Sequence, residues 1–301
     1  MGSRERRAHL VRVSVPGGRA QVSQPLSWIS VGELEDAFTP ETNASPLTGE
    51  LAGRSFRFGF ENGWTMDCRF ATDRKLFWNR VDPSPPGDLR EEAYCAFEVR
   101  DGIYFVDFVV SSQAGTAMSL VVDLSRGVVT ALIGRLPTEG EARQSLLDRL
   151  EQGKELTSVA ATFLSGAVGR AFTAETPRHR PTDELVGRHV EYTYSPTERY
   201  EHVYLNENLY TWHCLLGSER GLADTDRCHC LKLADELYLF VWREKVVPTL
   251  GAVVVDLQQM KTTGKILGYR GGDFGTVSNF TVGARARLLN VTPRQPPRDE
   301  R

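Results

Sequence analysis

The chain has 301 residues, 41% hydrophobic and 25% charged, with a formal net charge of −3. That length suits two domains, each able to bury a core, and the slight negative charge offers no bulk attraction to nucleic acid or an anionic membrane. No apolar stretch reaches bilayer length, the N-terminus carries no apolar signal core, and five scattered cysteines make no disulfide framework, so a cytoplasmic location is expected.

Residues 1–45 read as an N-terminal arm that begins with a charged tail over residues 1–20. The first β-barrel is expected over residues 46–172. It opens on Ser55-Phe56-Arg57-Phe58-Gly59-Phe60, which alternates as a half-buried strand does, and Glu61-Asn62-Gly63-Trp64 carries the Asn-Gly pair of a tight hairpin. Residues 139–152 predict a helix, from an acidic first turn and from Leu146, Leu147 and Leu150 spaced three and four apart. The segment 173–182, rich in Pro, Arg and His, is the expected linker. A second barrel is expected over 183–292 and a tail over 293–301.

Two barrels are expected because the chain is written twice. Leu51-Ala52-Gly53-Arg54 returns 134 residues later as Leu185-Val186-Gly187-Arg188, Trp78 as Trp212, Tyr104 to Phe108 as Tyr238 to Trp242, and Gly134 as Gly268. Phe163 to Ala167 matches Phe280 to Ala284 at an offset of 117 instead, which places the helix as an insertion before the last strand of the first copy. Short hairpin-linked strands without alternating helices predict an all-β fold. Each copy is an antiparallel up-and-down sheet closed into a small barrel, able to hold one ligand.

Candidate chemistry concentrates in the second copy. Tyr192 and Tyr194 lie two apart on one strand and so share a face, and Glu244 follows Trp242-Arg243. Two phenols and a carboxyl facing one cavity can orient a small acid and move a proton without a cofactor. Through the offset they become Phe58, Phe60 and Val110, so the first copy keeps the shape and loses the polar groups. Trp212, Trp242 and His229 are the candidate substrate contacts; Trp78 and Phe108 match the two tryptophans, which equally suits packing. His213, Cys214, Cys228, His229 and Cys230 crowd together, but alternation along a strand separates His229 from both neighbouring cysteines, and no metal site is expected.

The runs Tyr210 to Cys214, Gly221 to His229, Tyr238 to Lys245 and Met260 to Lys265, together with Phe58 to Trp64, resemble the MoaF family, named for molybdenum cofactor biosynthesis protein F. The resemblance covers about residues 28–290 and implies a pair of lipocalin-like or calycin-like barrels. A more distant resemblance is to bacterial phenolic acid decarboxylases: Tyr192-Thr193-Tyr194 is similar to their paired-tyrosine strand, and Tyr238 to Glu244 to the strand that delivers a catalytic glutamate. It implies cofactor-free catalysis with Tyr192, Tyr194 and Glu244 in those roles. Arg220 stands in the loop for the substrate-holding arginine, although that loop differs in length and lacks the family's Gly-Arg-Trp pattern. The expected function is a cofactor-independent lyase, isomerase or cyclase for a small aromatic or conjugated acid. The alternative is a non-catalytic small-molecule carrier, or an accessory protein whose inserted helix docks a partner.

Overall fold

The computed structural model describes residues 27–38, 42–81 and 88–293; the tail read at 1–20, and that read at 293–301 apart from residue 293, lie outside them. The first barrel is one antiparallel meander. Its strands are β1 (Ser55–Phe60), β2 (Thr65–Phe70), β3 (Lys75–Arg80), β4 (Arg90–Arg100), β5 (Ile103–Val109), β6 (Thr116–Asp123), β7 (Val128–Arg135) and β8 (Ala160–Val168), and β8 pairs back with β1. Gly63, at φ +81, makes the Asn-Gly turn between β1 and β2. A two-residue strand β9 (Arg180–Pro181) leads into the second meander: β10 (Arg188–Thr193), β11 (Arg199–Tyr204), β12 (Leu209–Leu216), β13 (Ala223–Ala234), β14 (Leu237–Arg243), β15 (Thr249–Asp256), β16 (Lys261–Tyr269) and β17 (Val277–Val291). The β10–β17 and β12–β13 pairings close it, and β9 adds to β13. The protein is therefore two eight-stranded antiparallel barrels in tandem. Among the described residues no helix is long and apolar enough to cross a membrane.

The inserted segment forms two short helices rather than the one expected: α2 (Glu139–Ala142) and α3 (Leu146–Glu151). Each begins at its own capping box, Thr138 with Glu141 and Ser145 with Asp148. A second N-cap at Ser145 restarts the chain where a continuous helix would run through. The repeat register also differs from the sequence reading. The β14–β15 hairpin is one residue shorter than the β5–β6 hairpin, so beyond it the offset is 133: Asp107 pairs with Ser119, Val241 with Ala252. Gly134 thus corresponds to Leu267, not Gly268, and the last strands correspond at 118 rather than 117, Phe58 facing Val168 as Tyr192 faces Ala286. Where the register does hold, so do the contacts. Tyr104 donates its hydroxyl to Glu50 at 2.7 Å, and Tyr238 donates to Glu184 at 2.7 Å.

Side chains alternate into each lumen and onto each outer face. The outer faces of β4–β7 and β13–β16 pack against each other in a third core, where Phe97, Phe105 and Val121 meet equivalent residues Leu231, Leu239 and Val254. The seam is thus an internal analogue of a two-fold interface, each half presenting the same patch. One corner of it is polar. Lys265 Nζ lies 3.3 Å from Asp107 Oδ1, both residues 1% exposed; Ser119 Oγ donates to Asp107 at 2.6 Å and Asn279 Nδ2 at 2.7 Å. The pseudo-symmetric positions are Val241, Leu132, Ala252 and Ala161, so the other corner is wholly apolar.

A buried charge left alone costs far more than the pair contributes. Asp107→Val or Lys265→Leu alone is therefore expected to destabilise by about 3–5 kcal/mol in urea unfolding. The quadruple variant Asp107→Val/Ser119→Ala/Lys265→Leu/Asn279→Ala, which copies the apolar corner, should recover most of that loss. A quadruple variant no more stable than either single would show that the polar corner is not a replaceable pair.

Candidate functional site

The two lumens differ in chemistry more than in shape. In the first, Phe58, Phe60, Met66, Cys68, Phe70 and Leu76 fill the positions that Tyr192, Tyr194, Tyr200, His202, Tyr204 and Tyr210 hold in the second. Register delivers the second set inward together, because Tyr192 faces Tyr200, His202 faces Trp212 and Cys228 faces Trp242 across neighbouring strands. Gly251 stands opposite Trp242, and any side chain there would collide with the indole.

A pocket of about 40 Å³ remains among Tyr194, Tyr200, His202, Tyr210, Trp212, Glu219, Trp242 and Glu244. Residues from the other end of the chain cover part of its mouth. The helix α1 (Val31–Phe38) lies across β16 and β17, and Leu34 and Phe38 complete the pocket wall. Ser30 and Glu33 cap it reciprocally: the Ser30 amide donates to the Glu33 carboxylate at 2.8 Å, and the Glu33 amide to Ser30 Oγ at 3.3 Å. Phe38 packs 4.8 Å from Tyr194 between ring centres, and Trp28 meets Trp212 edge-on at 5.6 Å. Beyond α1, Asn43 binds the backbone carbonyls of Thr193 and Tyr194 at 2.9 and 2.7 Å. Gly268 lies directly beneath Val31, and a Cβ there would overlap its side chain.

Glu244 sits just past β14, and the first barrel fixes its backbone. Thr157 Oγ1 donates to the Glu244 carbonyl at 2.8 Å, while Arg243 next to it binds Glu155 at 2.7 Å and the Val159 carbonyl at 3.1 Å. Inside, Trp242 Nε1 donates to Glu244 Oε1 at 2.9 Å. Burial, then the nearby charges of Asp226 and Glu219, pushes the Glu244 carboxyl well above the usual carboxylate range. Burial also raises the Asp226 carboxyl, against the opposing pull of Lys245, and raises Glu219. Burial drives His202 down to about 3, so its imidazole is neutral near pH 7. Its Nδ1 is buried with no protein hydrogen-bond partner, while Tyr192, Tyr210 and Phe240 surround the ring. Burial lifts the Tyr194 and Tyr192 phenols far above their ordinary value, so both stay protonated as donors.

Of the residues singled out from sequence, Tyr194, Glu244, Trp212 and Trp242 meet at this pocket. Tyr192 is inward but lies outside the pocket lining, its hydroxyl 2.8 Å from that of Tyr204. Arg220 is exposed in the turn from Gly217 to Leu222 and does not line the pocket. His229 faces away from the lumen: it pairs with Val241, a seam residue, and its ring lies 5.1 Å from Phe163 of the first barrel. Strand parity explains this, because Cys228 and Cys230 take the inward positions opposite Trp242 and Phe240. Reading sequence residue by residue missed His202, Tyr200, Tyr210, Glu219 and α1. The first three were visible as Cys68, Met66 and Leu76 through the offset, and α1 as the Ser30-x-x-Glu33 box followed by Leu34 and Phe38. Glu219 lies in a turn whose counterpart in the first copy carried no signal.

Fold and pocket together define a tandem β-barrel protein with one lumen packed mainly by apolar side chains and one lined by several phenols, an imidazole and carboxyl groups. The chain belongs to the MoaF family: residues 26–138 match the MoaF N-terminal domain and residues 179–292 the MoaF C-terminal domain. It is 41% identical over 268 residues to Protein MoaF of Klebsiella aerogenes, an alignment covering 89% of this chain and 97% of that one. A crystal structure from Burkholderia vietnamiensis, provisionally described as a beta-lactamase, aligns over 36% of this chain and 98% of its own at 13% identity. Its TM-score of 0.30 is too low to inform the fold or the site.

The Glu244 shift carries a stability signature. The folded state holds a proton that the unfolded chain releases above its ordinary pKa of 4.5, so stability falls as pH rises from there toward the folded pKa. The slope is up to about 1.4 kcal/mol per pH unit. Glu244→Gln removes it. The variant's stability relative to wild type should therefore climb through this window and level off above it, as measured by urea unfolding from pH 4 to 8. A difference that stays flat with pH would place the Glu244 carboxyl in contact with water.

Proposed function

We propose that the protein binds a small planar organic molecule inside its second barrel, beneath α1, with Glu244 as the polar anchor. The observation that carries this is the contrast between duplicated lumens. Where one scaffold packs Phe58, Phe60, Met66, Cys68, Leu76 and Val110, the other keeps three phenols, a neutral imidazole and the Glu244 carboxyl around a cavity. Packing requires none of these, and each costs desolvation. As closed, the cavity has room for roughly two or three waters. A ligand of ring size enters only when α1 lifts or the aromatic side chains swing, so α1 is a lid in this reading.

The decarboxylase-like expectation is not carried forward as the conclusion. That chemistry needs a cation to hold the substrate carboxylate, and the residue set against that role, Arg220, stands outside the lumen. Glu244 and Tyr194 remain beside each other with protons available, which supports proton exchange with a bound ligand as a second activity of the same pocket. The family name associates such proteins with molybdenum cofactor biosynthesis, and a ring-bearing precursor or product of that chemistry is within the proposed ligand class.

The test is a thermal-shift and tryptophan-fluorescence screen of the full chain against aromatic acids, amidines and aminopyrimidinones. A ligand at 100 times its Kd should stabilise wild type by about 2.7 kcal/mol. The shift should vanish in Tyr194→Phe/Glu244→Gln, survive Phe60→Tyr in the first barrel, and appear at lower concentration in Gly268→Ala, which displaces α1 and its Leu34 and Phe38 while leaving every barrel-borne lining residue unchanged. A shift that survives the double variant, or is lost on Phe60→Tyr, would move the site out of the second lumen.

A further inference from the structure

The charge of the lumen narrows its occupant. Glu219 and Glu244 line the pocket and Asp226 lies behind Trp212, whose indole N–H it accepts at 3.0 Å, but no Lys or Arg is among the lining residues. Lys245, next in the chain to Glu244, is held by Asp224 and by Asp226. One oxygen of Glu244 is taken by Trp242. His202, 5% exposed, turns a neutral ring into the same pocket with Nδ1 unpartnered by protein. An organic anion brought here would face carboxyl groups with no countercharge. A flat ring with adjacent N–H groups would meet acceptors in Glu244 and His202 and stacking faces in Trp212, Trp242 and Tyr194.

We propose, resting on the lumen-binding reading above, that the second barrel is selective for a planar heterocycle or amidine presenting a hydrogen-bond-donor edge to Glu244, and that it rejects carboxylate ligands of the same size. The selection is electrostatic: an aminopyrimidinone edge pairs with the protonated Glu244 carboxyl by donating one hydrogen bond and accepting another, an amidinium pairs with the ionised form through two parallel N–H bonds, and a benzoate accepts a single hydrogen bond from the protonated form, meets no countercharge, and is repelled by the ionised form.

Isothermal titration of the full chain and of Gly268→Ala with three ring-sized probes, 2-aminopyrimidin-4-one, benzamidine and benzoate, tests this. The two donor probes are expected to bind at least tenfold more tightly than benzoate. Glu244→Gln should weaken benzamidine by at least tenfold and the neutral probe less, because glutamine keeps one donor and one acceptor. Benzoate binding as tightly as the donor probes, with binding lost in Tyr194→Phe/Glu244→Gln, would overturn the selectivity while leaving the lumen site in place. Failure of every probe on both proteins would overturn both.

Discussion

The seam between the barrels is the constraint on which the rest of the structure depends. It joins two outer sheet faces through a core of aliphatic and aromatic residues, and at its polar corner Lys265, Asp107 and Ser119 are buried while Asn279 is half-buried. An apolar seam alone would tolerate sliding or exchange of equivalent patches. A buried pair that exists at only one of two pseudo-symmetric corners favours a single register, since any other leaves a charge without its partner. That register places Thr157 and Val159, just before β8 of the first barrel, against the end of β14, where they hold the backbone around Arg243 and Glu244. The first barrel thus has a role in the site: it supplies the rigid support from which the Glu244 carboxyl is presented.

Duplication explains how such a division arises. An up-and-down barrel needs its inward positions filled, and at six of them the first copy uses phenylalanine, methionine, cysteine and leucine, which bring no hydroxyl or imidazole to be partnered. In the second copy the same positions carry tyrosine and histidine, which fill comparable volume but bring hydroxyl and imidazole groups needing partners. Tyr192 and Tyr204 satisfy each other, and Tyr200 donates to Glu219. His202 Nδ1 stays unpartnered by protein. An unpartnered imidazole nitrogen in the wall of a cavity, under a helix that covers it, has the form of a binding site with the ligand's bonds left open.

Much of the fold was legible because its signals are local. Alternation marked the strands, the Asn62-Gly63 pair marked the first hairpin, and the recurring Tyr104/Tyr238 stretch marked the duplication. What failed was bookkeeping across hairpins: one residue fewer between β14 and β15 shifted every later correspondence, so Gly134 and Gly268 matched by coincidence. The helix insertion was legible in place but not in form, since Ser145 restarts a helix that periodicity alone would continue. The site was legible where it depends on parity within a strand, as for Tyr194, Trp242 and Glu244. Parity was equally available for His229, and Cys228 and Cys230 already spoke for its outward face. Arg220 depends on loop length, which no period encodes. The lid depends on a contact between residue 38 and residues 194 and 280, a separation at which sequence pattern is silent, although the cap at Ser30 announced that a helix was there.

The central claim is that the second lumen shelters the Glu244 carboxyl from water, where the first lumen has Val110. Site-resolved titration of glutamate side-chain carboxyls by carbon-13 NMR in the ligand-free full chain tests it most directly. The account predicts one resonance, absent from Glu244→Gln, that stays protonated well beyond the pH at which exposed glutamates ionise. If the resonance lost on that substitution instead titrates in the ordinary carboxylate range, the second lumen is open to water at Glu244, and the case for a closed, chemically distinct site fails.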